Sequence, residues 1–261
     1  MFTAISKDGT TVAYDKKGRG FPVILIDGAL CSRDMGPMPG LSELLSPECT
    51  VIHYDRRGRN DSGDTAPYSV EKEIEDIDAL IKTAGGEADL FGISSGAVLA
   101  MTAVSRGLAV RKLAIYEPPF SVDKNAHITP ADSEAKLKKL ISNNDRSGAV
   151  KFFMKDMVGL PAIFAYVMRI LPVWSKLKRV AHTLPYDAAV MGDFTLPRDM
   201  ISSIKIPTLV AGGEKSPGGL KSAVRAVAGI IPNNKFEELK GQTHNVSPKV
   251  LAPVLIQFFK T

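Results

Sequence analysis

Runs of apolar residues alternate with amphipathic stretches along most of the chain. Continuous apolar runs at 22–26 (PVILI), 50–55 (TVIHYD) and 207–212 (PTLVAG) predict strands that are covered on both faces. Similar runs at 88–92 (ADLFG) and in the segment KLAIYE, which ends at Glu117, predict two more strands. Because helical stretches separate these strands, their order predicts a mostly parallel sheet flanked by helices.

The remaining strands are predicted near the two ends of the chain. Two alternating segments, FTAI and TVAYD, flank Asp8-Gly9, which is a hairpin turn signal. A further strand-like segment at 235–239 (KFEEL) precedes a final apolar helix, VLAPVLIQFF. Together these segments predict an eight-stranded sheet.

Helical periodicity is clearest in the stretch that follows Ser69. This serine suits the N-cap position. Apolar residues then recur on one helical face from Val70 to Ile81, and the pair Gly85-Gly86 ends the pattern. We therefore expect an amphipathic helix here that packs one face against the sheet.

The alternation of strands and helices is interrupted at residues 121–200. This stretch is helical in character, irregular, and rich in Met, Phe and Pro. We therefore expect a core domain formed by residues 1–120 and 201–261. Residues 121–200 are expected to be inserted into it as a helical lid after strand 6.

Composition and charge narrow the class of protein. The 261 residues carry a formal net charge of +5, and the basic residues are scattered among acidic ones. We therefore expect neither a nucleic-acid-binding stripe nor a nucleic-acid partner. No cluster has metal-ligand spacing, and no P-loop or G-x-G-x-x-G segment is present, so we expect no metal and no nucleotide cofactor. The expected partner is a small-molecule substrate.

The location of the protein is suggested by its cysteines and its apolar tracts. Cys31 and Cys49 have no disulfide-framework spacing, which is typical of a reducing compartment. The sequence begins with strand-like alternation rather than a signal peptide. The longest apolar tract, 158–174, contains two prolines and an arginine and is a poor membrane span. We therefore expect a cytoplasmic protein without a membrane segment, and its oligomeric state stays open.

The strand at 88–92 runs directly into the segment GISSG, and a helix follows at once. G-x-S-x-G between a strand and a helix is typical of a strained turn that exposes a nucleophilic serine. The turn needs small residues on both sides, so the flanking glycines favour Ser94 as the nucleophile. Ser95 would then begin the helix and offer its backbone N–H to an oxyanion. A plain Gly/Ser connection with Ser95 as the N-cap is the simpler alternative.

Two other loops carry residues that fit the same chemistry. The segment ILIDGALCSRD follows the third strand, and its glycine turn is expected to supply a second oxyanion N–H, assigned to Ala29. The next residue, Leu30, is assigned to the substrate pocket. The segment GQTHNVSP follows the last strand, where His244 could act as the general base.

With these segments in place, the chain resembles the α/β-hydrolase family over nearly its whole length. The turn at 92–96 matches the family's nucleophile elbow, and 55–62 matches its D-x-R-G-x-G-x-S segment except that Asn60 replaces a glycine. Asp27-Gly28 stands where the family usually has His-Gly. The resemblance implies the α/β-hydrolase fold and hydrolysis of an ester or other acyl bond, and it does not identify a substrate.

One departure from the family concerns the acid of the catalytic triad. Ser216 occupies the place where the family usually carries an aspartate. Three carboxylates could replace it: Glu117, Asp193 and Glu214. We favour Glu117, because catalytic groups gather at the carboxyl edge of an open α/β sheet and the following Pro118-Pro119 stiffens its turn. Surface or hinge roles are favoured for the other two carboxylates.

These assignments predict a carboxylesterase-like serine hydrolase that uses Ser94, His244 and Glu117 and forms an acyl-enzyme. The substrate is expected to be small and largely apolar, and the lid aromatics Phe164 and Trp174 could line its pocket or form the lid's own core. Two alternatives stay open. One is other chemistry on the same scaffold, such as a cofactor-free lyase or a perhydrolase-like enzyme. The other is a ligand-binding protein with a slow or degenerate triad.

Overall fold

The computed structural model describes residues 1–123 and 129–260 and contains one eight-stranded sheet. The strands are β1 (Phe2–Ile5), β2 (Thr11–Lys17), β3 (Pro22–Ile26), β4 (Thr50–Tyr54), β5 (Ala88–Ile93), β6 (Val110–Tyr116), β7 (Thr208–Gly213) and β8 (Asn234–Leu239). They lie in the order β1-β2-β4-β3-β5-β6-β7-β8. β2 pairs antiparallel with β1 and β4, and the other neighbours are parallel. The predicted eight-stranded, mostly parallel sheet is confirmed.

The apolar runs become central strands because both faces of the sheet are covered. Along β3, Ile24 and Ile26 belong to one buried cluster, whereas Val23 and Leu25 belong to the other. This alternation follows from the two-residue period of a strand. β8 lies at the edge of the sheet and keeps a partly exposed, polar sequence, as an edge strand can.

Helices cover the two faces of the sheet. On one face lie α2 (Val70–Thr83), α3 (Ser95–Ser105) and α10 (Gly218–Ala228), and on the other lie α1 (Met38–Leu45) and α11 (Pro248–Lys260). The side chain of Ser69 accepts a hydrogen bond from the backbone N–H of Lys72, which caps α2 as its sequence predicts. The sheet flanked by helices is thus the architecture that the sequence predicts.

The described part of the chain between β6 and β7 consists of helices joined by loops and turns. It contains α4 (Ser133–Ser142), α5 (Arg146–Phe152), α6 (Ala162–Met168), α7 (Val173–Val180), α8 (Leu184–Met191) and α9 (Arg198–Ser203). A π-helical turn (Phe153–Met157) follows α5, and a 3₁₀ turn (Ala181–Thr183) precedes α8. Buried residues of these helices, such as Leu137, Val150 and Leu184, extend the core on one face of the sheet. The division into a core domain and a lid stays a prediction.

The loops that leave the carboxyl ends of the parallel strands meet at one edge of the sheet. This edge is where open α/β sheets bind ligands. Asp27 follows β3, Ser94 follows β5 and Glu117 follows β6. His244 lies in the loop between β8 and α11. The topology therefore gathers the predicted site residues from distant parts of the sequence.

Candidate active site

The turn between β5 and α3 holds Ser94 in a backbone conformation that residues with a side chain rarely adopt. Its φ is 57° and its ψ is −127°, while the chain on either side is regular strand and helix. Such strain persists only where the surrounding structure imposes it, and it is concentrated at functional sites. The turn presents a half-buried Ser94 side chain, whereas the side chain of Ser95 is buried.

The two glycines around this turn are required for different reasons. A Cβ on Gly92 would collide with the backbone of Gly96, so Gly92 lets the strand and the helix approach each other. A Cβ on Gly96 would instead collide with the carbonyl oxygens of Ile26 and Asp27 at the end of β3. The second glycine therefore seats α3 against the neighbouring strand, a contact that the sequence pattern alone does not reveal.

Glu117 and His244 form a hydrogen-bonded pair beside this turn. One carboxylate oxygen of Glu117 lies 2.7 Å from Nδ1 of His244, and the other accepts the backbone N–H of Gly213 at 2.7 Å. Glu117 is fully buried, while the side chain of His244 is 39% exposed. Because an ionised carboxylate can only accept, Nδ1 carries the proton and Nε2 is left as the free base.

Glu117 lies just beyond β6 rather than at its last position. The strand ends at Tyr116, and Glu117 has a φ of 47°, which breaks the extended conformation. This departure from the predicted boundary turns the carboxylate sideways toward β7 and the loop that carries His244. The positive φ is therefore part of how the carboxylate reaches the imidazole.

The loop that carries His244 is held by two hydrogen bonds to the carbonyl groups just before the histidine. The buried hydroxyl of Tyr116 donates to the carbonyl oxygen of Thr243 at 2.7 Å. The backbone N–H of Lys215 donates to the carbonyl oxygen of Gln242 at 2.8 Å. Within the described chain, no hydrogen bond joins Ser94 Oγ to His244. Catalytic hydrogen bonds of this kind are often long without substrate and tighten when it binds.

The two other candidate acids lie apart from His244. The side chain of Asp193 is exposed and accepts from the backbone and hydroxyl of Thr195. These hydrogen bonds hold the pKa of Asp193 below its ordinary value. Glu214 is also exposed and accepts the backbone N–H of Gly241 at 2.7 Å. Of the three candidates, only Glu117 contacts the imidazole.

The turn after β3 touches the candidate nucleophile. A Cβ on Gly28 would lie 2.9 Å from the Cβ of Ser94, so glycine is needed for this approach. Ala29 follows it and is half-buried, while Leu30 is buried with a φ of 60°. The structure thus places the predicted oxyanion loop next to the elbow through Gly28, with Leu30 buried two residues further on.

The two predicted pocket residues of the inserted helices have opposite environments. Trp174 on α7 is buried in the apolar core, which fits the alternative that it packs the helices together. Phe164 on α6 is 45% exposed, in a stretch where neighbouring apolar side chains are exposed too. The role of these two residues in a substrate pocket stays a prediction.

A buried cluster of charges beneath the elbow is absent from the sequence predictions. Arg56 donates to Asp187 at 2.7 Å and pairs with both carboxylate oxygens of Glu73. Arg59 contacts both oxygens of Asp187, and Ser95 Oγ donates to one of them at 2.7 Å. All four charged residues are at most 2% exposed. Asp187 comes from α8, and no motif in the sequence marks it.

The electrostatics of this cluster favour ionised groups. Burial by itself would raise the pKa of Asp187, but Arg59, Arg56 and the Ser95 hydroxyl bring it below its ordinary value. The two guanidiniums and two carboxylates balance each other. The cluster is therefore a neutral, hydrogen-bonded unit in which each charge is compensated.

A second buried pair involves Asp27, the residue that departs from the family's His-Gly pattern. His53 on β4 has its Nε2 2.7 Å from an oxygen of Asp27, and both side chains are buried. Burial raises the pKa of Asp27, an effect that His53 partly offsets. From the sequence, His53 is predicted to be a core or inter-strand residue within a strand. Its partner, Asp27, stands where the family usually has histidine. The pair therefore joins β4 to the loop that follows the neighbouring strand β3.

The described residues contain neither a metal-binding cluster nor a membrane-spanning helix. No group of three or more His, Cys, Asp and Glu side chains among them is placed to hold a metal ion. None of the described helices is long and apolar enough to cross a membrane.

Comparison with known proteins identifies a protein family and solved structures that this chain resembles. Residues 27–253 match the profile of the alpha/beta hydrolase family. An alpha/beta hydrolase from Sphaerobacter thermophilus is 46% identical, with a TM-score of 0.94, over 99% of this chain and 100% of that one. No curated protein matches the sequence.

Two more distant structures share the fold. An enol-lactonase from Burkholderia xenovorans is 18% identical with a TM-score of 0.75, and the alignment covers 100% of both chains. An esterase from a Rhodococcus species is 19% identical with a TM-score of 0.72, over 100% of this chain and 98% of that one. At this level of identity, the likeness is one of fold.

Proposed function

Because the chain belongs to the alpha/beta hydrolase family, we propose that it is a serine hydrolase that cleaves an ester or related acyl bond. The observation that carries the proposal is the 2.7 Å contact between Glu117 and Nδ1 of His244, beside the strained turn of Ser94. A nucleophile, a base and an orienting acid are the parts of a catalytic triad.

The proposed reaction begins with attack by Ser94. Nε2 of His244 takes the proton of Ser94 Oγ as the oxygen adds to the acyl carbonyl. Glu117 holds the imidazole in the tautomer that leaves Nε2 free and stabilises the imidazolium that forms. His244 then protonates the leaving group, and afterwards it activates the water that hydrolyses the acyl-enzyme.

The negative charge of the tetrahedral intermediate is assigned to two backbone donors. The N–H of Ser95 lies at the first position of α3, where the helix dipole also favours an anion. The N–H of Ala29 belongs to the loop that touches Ser94 through Gly28. This pair of donors would make up the oxyanion hole.

The proposed substrate is small and largely apolar. Leu30 is buried in the loop that contacts Ser94 through Gly28, and α6 presents the exposed apolar side chains of Ile163, Phe164 and Val167. Two structural neighbours are an enol-lactonase and an esterase, so lactones and carboxylic esters are the first substrates to test. A cofactor forms no part of this mechanism.

The cytoplasm is proposed as the location. Cys31 and Cys49 are both free thiols in the structure, as a reducing compartment would keep them. The proposed partner is the substrate itself, without nucleic acid or membrane.

The proposal is tested on the unmodified protein with a fluorophosphonate probe and a panel of p-nitrophenyl esters, thioesters and lactones. We expect rapid, stoichiometric labelling of one serine and turnover of at least one class. Labelling without turnover would favour a protein with a slow triad. The absence of both would favour a ligand-binding protein or other chemistry on the scaffold.

Replacement of Phe164 by alanine should change selectivity between short and long acyl esters by about tenfold, the effect of altering a few apolar contacts in a pocket. Labelling of Ser94 should change much less, because the triad is carried by the sheet. The measurement is kcat/KM for esters of increasing chain length. Phe236→Ala is a matched control, since Phe236 is 41% exposed and lies on the edge strand β8. Equal selectivity in both variants would leave α6 with a structural role.

A further inference from the structure

Two buried arginines hold the backbone of the loop that follows β3. Nη1 of Arg59 donates to the carbonyl oxygen of Gly28 at 2.7 Å and to that of Cys31 at 3.0 Å. Nη1 of Arg56 donates to the carbonyl oxygen of Asp27 at 3.2 Å. The carbonyl groups on both sides of Ala29 are therefore directed toward guanidinium groups.

The contact at Gly28 also determines where the Ala29 N–H points. A trans peptide unit is planar, so its C=O and its N–H point in opposite directions. The carbonyl of Gly28 and the N–H of Ala29 belong to the same unit. Because the carbonyl faces Arg59, the N–H faces away from it. A Cβ on Gly28 would lie 2.9 Å from Ser94 Cβ and 3.6 Å from its Oγ, so this peptide unit lies against the candidate nucleophile.

The position of Arg59 depends in turn on α8. Nη2 of Arg59 contacts both oxygens of Asp187, at 3.0 and 2.8 Å, and its Nε donates to Thr183 Oγ1 at 3.2 Å. Asp187 also accepts the hydroxyl of Ser95 at 2.7 Å. One carboxylate thus connects the residue that orients Ala29 with the residue at the start of α3.

We propose that Arg59 and Asp187 are positioning residues that set the Ala29 N–H of the oxyanion hole. Arg59 keeps the Gly28–Ala29 peptide in the orientation that directs its N–H toward Ser94. Asp187 in turn holds the guanidinium of Arg59 in place. Without this clamp the peptide can rotate and present a carbonyl oxygen to the developing oxyanion, which would repel it. The proposal rests on the hydrolase function proposed above.

The test needs a variant that removes the clamp and keeps the buried charges balanced. Replacement of one partner alone would leave an uncompensated buried charge and could prevent folding. The double variant Arg59→Met/Asp187→Asn removes one charge of each sign, and it leaves the pair of Arg56 with Glu73 in place. It is therefore the first variant to measure.

The double variant should lose about 10²–10³-fold in kcat for a p-nitrophenyl ester, which is the typical effect of removing one oxyanion-hole donor. KM should change little, because the clamp acts on the charge that develops during the reaction. Affinity for a boronic acid that forms a tetrahedral adduct with Ser94 should fall by a similar factor. In Arg59→Lys, which can still donate to Gly28, part of kcat should be recovered.

A matched control separates positioning from general destabilisation. Arg57 and Asp76 form another buried ion pair, and Arg57 binds the β1–β2 hairpin rather than the loop after β3. Arg57→Met/Asp76→Asn should lower the melting temperature to a similar extent and retain the wild-type kcat. Equal losses of kcat in the two double variants would overturn the proposal.

A crystal structure of Arg59→Met/Asp187→Asn tests the orientation of the Gly28–Ala29 peptide independently of turnover. We expect the Gly28–Ala29 peptide to be flipped or to occupy more than one orientation. An unchanged, fully ordered peptide would overturn the clamp even if kcat fell. If the wild-type protein hydrolyses no acyl substrate, the proposed function fails, and the peptide orientation still decides whether Arg59 sets it.

Discussion

Ser94→Ala should abolish covalent labelling and lower kcat for ester hydrolysis by roughly 10⁶-fold, the effect of removing the nucleophile from a serine triad. The expectation follows from the backbone of Ser94, whose φ of 57° exposes the side chain between strand and helix. Alanine can occupy the same turn, because only the hydroxyl is removed. The measurements are kcat for a p-nitrophenyl ester and mass spectrometry after treatment with fluorophosphonate.

Ser95→Ala is the control for this assignment. Its backbone N–H remains, so we expect most of the activity to be retained. Its hydroxyl donates to the buried Asp187, so the free energy of unfolding should fall by about 1–3 kcal/mol. If Ser95→Ala were inactive and Ser94→Ala active, the assignment of the nucleophile would be wrong.

Glu117→Gln should lower kcat by about 10⁴-fold, as is typical when the acid of a serine triad becomes an amide. The glutamine oxygen can still accept the N–H of Gly213, which preserves the local fold. Its NH₂ group would then face Nδ1 of His244 and donate to it. The imidazole would consequently carry its proton on Nε2, where it cannot accept the proton of Ser94.

Two carboxylate variants serve as controls for Glu117. Asp193→Asn and Glu214→Gln alter exposed side chains that bind only nearby residues, Thr195 and Gly241. Both should leave kcat close to the wild-type value. Circular dichroism and thermal unfolding should show that all three variants are folded. Equally small losses of kcat in all three would count against a complete triad and would favour a binding protein.

The sequence predicts the parts of this site that depend on local patterns. Apolar runs identify the strands because the sheet is covered on both faces, and parallel strands end at one edge. The flanking glycines single out Ser94 because the turn geometry is local. The same reasoning predicts Glu117 as the partner of His244, 127 residues away, since each residue lies in a loop at the carboxyl end of a strand.

The contacts that the sequence does not predict are pairings between distant segments of the chain. Arg59 and Asp187 are 128 positions apart, and their contact depends on how α8 packs over the sheet. An aspartate on a mostly apolar helix gives no signal that it is buried and paired. Likewise, the contact of His53 with Asp27 needs the order of strands in the sheet, because β3 and β4 are neighbours there. Periodicity in a single sequence does not contain this information.

The buried carboxylate of α8 limits how freely the helices between β6 and β7 could be exchanged with those of another hydrolase. A chimaera that replaced residues 121–200 as a block would remove Asp187, leaving Arg56 and Arg59 with one carboxylate between them. The interchangeable portion therefore ends before α8, and α8 itself belongs with the sheet. New specificity is more safely engineered in α6, where Ile163, Phe164 and Val167 are exposed.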